Sequence, residues 1–190
     1  MINVSDYWPI PSGSNCITKV FDNNSSAKIV SAPNGGAWLE EWVNNQWTDT
    51  WHYVNGPRGI LEDYDIYPNK TTKMVPGKEI IWGNQQNIGD VIQAQCEIAG
   101  GLLGIGDQYG WQEVKFVALI PEFATAAGHF PNVLQIEYWQ YWTSMGASGG
   151  RISSGAKIWL AKGIGFIRQE WSKNGTPTGF AQGLQSYSLA

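Results

Sequence analysis

The residues with the spacing for nucleophilic chemistry lie late in the chain. Gly146-Ala147-Ser148-Gly149-Gly150 matches G-x-S-x-G, in which a serine on a sharp strand-to-helix turn presents its hydroxyl to substrate. A strand pattern precedes it, but Arg151-Ile152-Ser153-Ser154-Gly155 is a poor helix start, and beyond Ser148 the chain contains neither His nor Asp to complete a triad. Ser154-Gly155-Ala156-Lys157 matches S-x-x-K. That chemistry needs both side chains on one helical turn, and its partner motifs S-D-N and K-T-G are missing. Both matches therefore read as loop and strand sequence rather than as catalytic machinery.

Metal and cofactor motifs fare no better. Asp63, Asp65 and Asn69 suggest a calcium loop, but Pro68 and Met74 stand where a hand-type loop needs Gly and Glu. A looser calcium site assembled from several loops is the alternative. Gly104-Ile105-Gly106-Asp107-Gln108-Tyr109-Gly110 has its last glycine one position late for a dinucleotide loop, and no βαβ unit surrounds it. His52 and His129 are the only histidines, and neither belongs to an H-x-H or H-E-x-x-H pattern. A glycosidase would need only two facing carboxylates, which Glu40, Glu41, Glu62, Asp63 or Asp65 could supply. The expectation is no cofactor, no metal and no catalytic set.

The bulk composition narrows the classes further. The 190 residues have the size of a single domain, 1–190, able to bury a large core. Charged residues make up only 15%, against 23 Gly and 9 Pro, a balance that suits many short strands and turns rather than a helical bundle. The net charge of −4 comes without a basic run, which argues against a nucleic-acid partner, since phosphate contacts supply most of such affinity. No apolar run reaches the ~18 residues needed to cross a bilayer. No secretory signal precedes Asp6, so export would require another route or a leader replaced by the start Met. Cys16 and Cys96 show no metal spacing. Two reduced thiols and one structural disulfide are the two readings.

Period-two patterning dominates. Ile17–Phe21 reads as a strand closed by Asp22-Asn23-Asn24-Ser25-Ser26. Ala37–Val43 and Trp47–Val54 flank the polar turn Asn44-Asn45-Gln46 as a hairpin. Gly56-Pro57-Arg58-Gly59 is a turn, and Ile60–Tyr67 a further strand. Lys78–Trp82 and Val91–Ile98 suggest a second hairpin. A glycine-rich bend at 100–106 precedes strands at Trp111–Ile120, Val133–Thr143, Lys157–Leu160 and Gly165–Trp171. One short helix is expected near Pro121–Ala127. The fold class is mostly β: a curved antiparallel sheet, as half-barrel or β-sandwich, with at most one or two short helices and about eight to ten meandering strands.

Three segments carry a family resemblance. Asp6-Tyr7-Trp8-Pro9-Ile10 resembles the D-Y-F-P-L opening of secreted bacterial β domains. Ala127 to Glu137, A-G-H-F-P-N-V-L-Q-I-E, resembles their A-G-T-F-x-N-V-L-x-V-E strand entry. Trp159 to Glu170 resembles their W-x-A-x-G-V-G-L-V-K-x-E closing hairpin. The chain departs from the family pattern at Gly13-Ser14-Asn15-Cys16, where G-N-x-W is usual. The resemblance implies a curved sheet of the LolA-like half-barrel type and a periplasmic or extracellular location. It carries no catalytic residues with it.

The aromatic surplus is what points to a ligand. Eleven Trp and eight Tyr are present, concentrated in Trp38–Tyr67 and in Tyr138-Trp139-Gln140-Tyr141-Trp142. On regular strands, alternate residues share a face. Trp47, Asp49, Trp51 and Tyr53 would then share one, while Trp139 with Tyr141 and Tyr138 with Gln140 and Trp142 occupy opposite faces. Such rings serve sheet cores and cross-strand pairs. They also serve sugars, stacking on C–H faces while neighbouring carboxylates and amides take the hydroxyls, or they can line a cavity for an acyl chain. The leading functional expectation is a non-catalytic extracellular domain, bacterial or phage-borne, that binds carbohydrate through Trp47, Trp51, Tyr53, Trp139, Tyr141 and Trp142 with Asp49 and Gln140. A half-barrel carrier of lipid or another apolar ligand is the first alternative and a polysaccharide hydrolase the second. Self-association, which would add avidity, is compatible with the composition.

Overall fold

The computed structural model describes residues 1–33, 35–56, 59–68, 70–75, 82–99, 108–144 and 151–190. Along them run β1 (Ile2–Asn3), one 3-10 turn (Val4–Asp6), β2 (Cys16–Phe21), β3 (Ser25–Ala32), β4 (Gly36–Val43), β5 (Gln46–Gly56), β6 (Gly59–Tyr67) and β7 (Lys70–Val75). They continue with β8 (Trp82–Gly83), β9 (Gln85–Gln86), β10 (Val91–Ala99), β11 (Gln108–Thr125), β12 (Gly128–Ser144), β13 (Arg151–Ala161), β14 (Gly165–Lys173) and β15 (Thr176–Leu189). The chain is thus mostly β, as its turn spacing predicts.

Thirteen strands form one antiparallel sheet in the order β5-β4-β3-β2-β15-β14-β13-β12-β11-β10-β7-β6-β8, and β5 also pairs with β6. Antiparallel hairpins provide nearly every step, and the non-local pairing of β15 with β2 joins the end of the chain to its beginning. Right-handed strand twist curves so long a sheet around one interior. The turns use residues that accept the required backbone. Asn44 and Asn45 both have positive φ, 51° and 61°, the geometry of the two-residue hairpin turn that best matches strand twist. Asn174-Gly175 does the same between β14 and β15.

Burial alternates along the strands. The inner face buries Ile17, Phe21, Ile29, Leu39, Tyr53, Phe116, Ile136, Ile158, Leu160 and Leu184. Phe21 stacks on Phe166 with ring centroids 5.4 Å apart, and Trp8 meets Tyr53 edge-on at 5.0 Å. The amino-terminal segment therefore plugs one end of the interior. Its docking joins the three segments singled out for their resemblance: Gly163 N–H donates to the Asp6 carbonyl at 2.8 Å, and Tyr7 Oη donates to the Asn132 carbonyl at 2.9 Å.

Several expectations are corrected. The helix expected near Pro121–Ala127 is instead the end of β11 and its turn. Glu122, Phe123, Ala124 and Thr125 pair with Pro131, Phe130, His129 and Gly128, and Phe123 stacks on Trp159 at 5.9 Å, so cross-strand pairing overrides local preference. Residues 78–81 lie outside the described residues. Among the described residues, Trp82–Gly83 pairs with Ile60 and Gly59, whereas β10 pairs with β7 and β11. β3, β7 and β15 complete the sheet at positions where no strand is expected, β3 beginning inside the expected turn at Ser25-Ser26. The glycine-rich bend at 100–106 and the G-x-S-x-G at 146–150 lie outside the described residues.

Candidate inner cleft

Beside the Phe21–Phe166 stack, the sheet encloses a cleft of about 370 Å3. Its lining combines Phe21, Trp42, Trp51, Trp171 and Phe180 with the carboxyls of Glu41 and Asp49, the amides of Gln169 and Gln182, and the hydroxyls of Ser25 and Thr48. Those residues come from β2, β3, β4, β5, β14 and β15, so no local stretch of sequence contains the site.

Two register shifts decide which side chains reach it. In β4–β5, Glu41 stands opposite Asp49 but Trp42 opposite Trp47, leaving Thr48 as an extra residue. A bulge of this kind reverses the facing of everything beyond it. The face expected to be shared by Trp47, Asp49 and Trp51 is therefore broken. Asp49 and Trp51 line the cleft, whereas Trp47 Nε1–H donates to Thr50 Oγ1 and to the Asp49 carbonyl, each at 2.8 Å. In β5–β6, His52 pairs with Tyr64 but Tyr53 with Glu62, leaving Asp63 extra. Glu62 and Asp65, three apart, thereby both become buried. Asp63 instead meets His52 Nδ1 at 2.5 Å, and His52 packs on Trp38 at 4.3 Å.

The interior is consequently acidic. Glu41, Asp49, Glu62 and Asp65 occupy three adjacent strands, β4, β5 and β6, facing one space. Burial, and then the neighbouring Asp49, raise the Glu41 carboxyl above the usual carboxylate range, because two buried carboxylates side by side disfavour the charged form. Burial also raises Asp49 and pushes Asp65 up to about 7, against the hydroxyl that Tyr67 donates to it at 2.6 Å. Lys19 is the buried cation of this region. Its Nζ donates to the Phe166 carbonyl at 3.1 Å and lies 3.9 Å from the centre of the Phe166 ring. Desolvation pushes it down to about 7, with Glu41 opposing.

A neutral polar network forms the opposite wall. Gln182 Nε2 donates to Gln169 Oε1 at 2.7 Å, and Ser25 Oγ donates to Gln182 Oε1 at 2.8 Å. Ser25 Oγ also bonds Asn23 Oδ1. Amides held this firmly present fixed donors and acceptors to whatever enters.

The other expected ligand residues are distributed differently. Tyr53 is buried beside Trp51, their rings 6.2 Å apart. Trp139 pairs with Gly155, on the face opposite buried Tyr138, and Tyr141 falls on the same outer face as Trp139. Of Gln140 and Trp142 only the backbone, in β12, is described. Trp51 and Trp139 thus do not form one continuous platform. The cleft residues that sequence reading missed are Glu41 as a partner of Asp49, together with Trp171, Gln169 and Gln182. The Asn174-Gly175 turn was the sequence signal that could have placed β14 against β15. Cys16 is a free thiol, and the side chain of Cys96 lies outside the description. Among the described residues, no group of three or more His, Cys, Asp or Glu forms a metal-binding cluster. No helix there is long and apolar enough to cross a membrane.

Compared with known proteins, the chain matches no protein-family model and no curated sequence. Two solved structures resemble it over nearly their whole length. One is a candidate lipoprotein from Parabacteroides distasonis, 12% identical, covering 94% of this chain and 97% of its own, with a TM-score of 0.46. The other is a candidate exported protein with a YmcC-like fold from Bacteroides fragilis, 12% identical, covering 95% and 97%, with a TM-score of 0.48.

Proposed function

We propose that the chain is an extracytoplasmic, non-catalytic glycan-binding protein and that the inner cleft is its binding site. One observation carries this reading. A single cleft sets Trp51, Trp171 and Trp42 beside two carboxyls and a pre-ordered pair of glutamines. Flat rings take the apolar faces of a pyranose, and the polar groups take its hydroxyls, which is the mix that ligand sites of this size use for orientation. The volume fits one or two sugar rings.

The same composition weighs against an apolar ligand. An acyl chain would offer no polar partner to Glu41 and Asp49 on desolvation, at a cost of about 1–3 kcal/mol each.

Titration of the protein with a panel of oligosaccharides, followed by tryptophan fluorescence, tests the proposal. A saturable shift with at least one oligosaccharide, lost in Trp51→Ala with the circular dichroism spectrum unchanged, is expected. The same shift retained in Trp51→Ala would place binding elsewhere and overturn the assignment of the cleft.

A further inference from the structure

Resting on the glycan reading, we infer that the sugar taken by this cleft is a basic one, an oligosaccharide of 2-amino-2-deoxyhexose units with free amines, whose ammonium group seats against Glu41 and Asp49.

The inference starts from an imbalance. Glu41, Asp49, Glu62 and Asp65 face one interior from three neighbouring strands. The nearby buried cation, Lys19, is on β2, separated from β4 by β3, and its ammonium group is already engaged by the Phe166 carbonyl and ring. A neutral ligand would leave this surplus of buried acid as it stands. An ammonium group brings a positive charge and three N–H donors on one atom, enough to bridge two adjacent carboxylates at once.

A second observation points the same way. Tyr53 is only 1% exposed, and its hydroxyl has no hydrogen-bond partner among the described residues. It lies within electrostatic reach of Glu62, Glu41 and Asp65. Tyr53 lies behind the cleft, but Asp49 Oδ1 and Trp51 Nε1, which line it, are likewise buried without a hydrogen-bond partner among the described residues; buried polar groups are seldom left unbonded, so a polar group entering the cleft has waiting partners. The third element is aromatic. Trp51 stands on the same face as Asp49, two residues along β5, and an indole beside an ammonium adds cation–π attraction. An amino sugar carries an apolar ring face and an ammonium group on one rigid scaffold. An N-acetylated sugar replaces the ammonium by an uncharged amide with one donor and adds bulk beside Glu41.

Proton balance gives the proposal its own signature. The groups facing Glu41 are Asp49 from β5, Asp65 from β6 and Lys19 from β2. In the free protein, burial and Asp49 favour a proton on Glu41. Seating an ammonium group favours the ionised pair, so that proton leaves to solvent as the sugar binds.

The deciding experiment is isothermal titration calorimetry at pH 5.5, where the sugar amines are already protonated, with three tetrasaccharides of one linkage: glucosamine, N-acetylglucosamine and glucose. Each is measured in two buffers of different ionisation enthalpy. The glucosamine tetramer is expected to bind at least tenfold more tightly than the other two and to release protons on binding. Glu41→Gln, and separately Asp49→Asn, should abolish that preference and the proton release. Equal affinity for all three sugars, or tight binding without proton release, would overturn the basic-sugar inference and leave the glycan reading standing. Failure of all three sugars to bind, together with no response across a wider oligosaccharide panel, would overturn both.

Discussion

Tyr67 donates its hydroxyl to Asp65 Oδ2 at 2.6 Å, yet this hydrogen bond does not restore Asp65 to an ordinary carboxylate. Burial outweighs it and pushes Asp65 up to about 7, with Asp49 adding to the rise. A carboxyl raised in the folded state binds a proton more readily folded than unfolded. Stability is then highest below about pH 4 as far as this group is concerned, and falls as pH rises between about 4 and 7. Glu41 acts in the same direction. Thermal unfolding should give a midpoint a few degrees lower at pH 8 than at pH 5. Asp65→Asn should flatten that slope and raise the midpoint at pH 8. An unchanged slope in the variant would remove Asp65 from the account.

Lys19 produces the opposite limb. Its value in the folded chain is pushed down to about 7 from an ordinary 10.5, so between those two pH values the unfolded chain binds more protons and stability rises with pH. Lys19→Met has similar length and keeps contact with the Phe166 ring. Denaturant titrations from pH 8 to pH 10, above the Glu41 limb, should show rising stability in the parent and a smaller rise in the variant.

Gly155 in β13 is held against Trp139 of β12. A Cβ there would lie 2.4 Å from Trp139 Cε3 and 2.6 Å from the Tyr138 carbonyl oxygen, and the carbonyl belongs to the paired backbone. Gly155→Ala should therefore destabilise the fold by about 1–3 kcal/mol, the usual cost of overpacking. It should read as a lower urea midpoint at constant slope. A neutral outcome would mean that the two strands separate more easily than their register suggests.

Trp47 and Trp51 separate position in sequence from position in space. Trp51 lines the cleft, while Trp47 bonds Thr50 beyond the bulge. In the oligosaccharide titration, Trp51→Ala should lose the response, and Trp47→Ala should keep affinity within about twofold while losing up to about 1.5 kcal/mol of stability with the indole hydrogen bonds. Reversed effects would place the sugar on the outer face.

Cys16 is a free thiol. A thiol reagent added to the unfolded, unreduced chain should label Cys16 in full. Labelling of neither cysteine would show a bridge to Cys96.

What the sequence determined by itself was the class of structure and the kind of chemistry to expect. Period-two runs such as Ile17–Phe21 and Ala37–Val43, punctuated by Asn44-Asn45, specify strands and their hairpin, because alternation and turn preference are local properties of the chain. The incomplete motifs around Ser148, Ser154 and Asp63 were legible for the same reason, since each lacks a neighbour its chemistry needs. The strand β15, which carries Pro177, Gly179 and Gly183, was not read from the sequence. Only the tertiary structure makes it a strand, by pairing it with β14 and β2. The cleft itself was decided entirely at that level. Alternation assigns a face only while register runs unbroken, and the extra residues Thr48 and Asp63 break it at two places. Those bulges turn Trp47 away, bring Glu62 and Asp65 to the same interior, and oppose Glu41 to Asp49. A bulge is a mismatch between two strands, so its position depends on the partner strand as much as on the residues that form it.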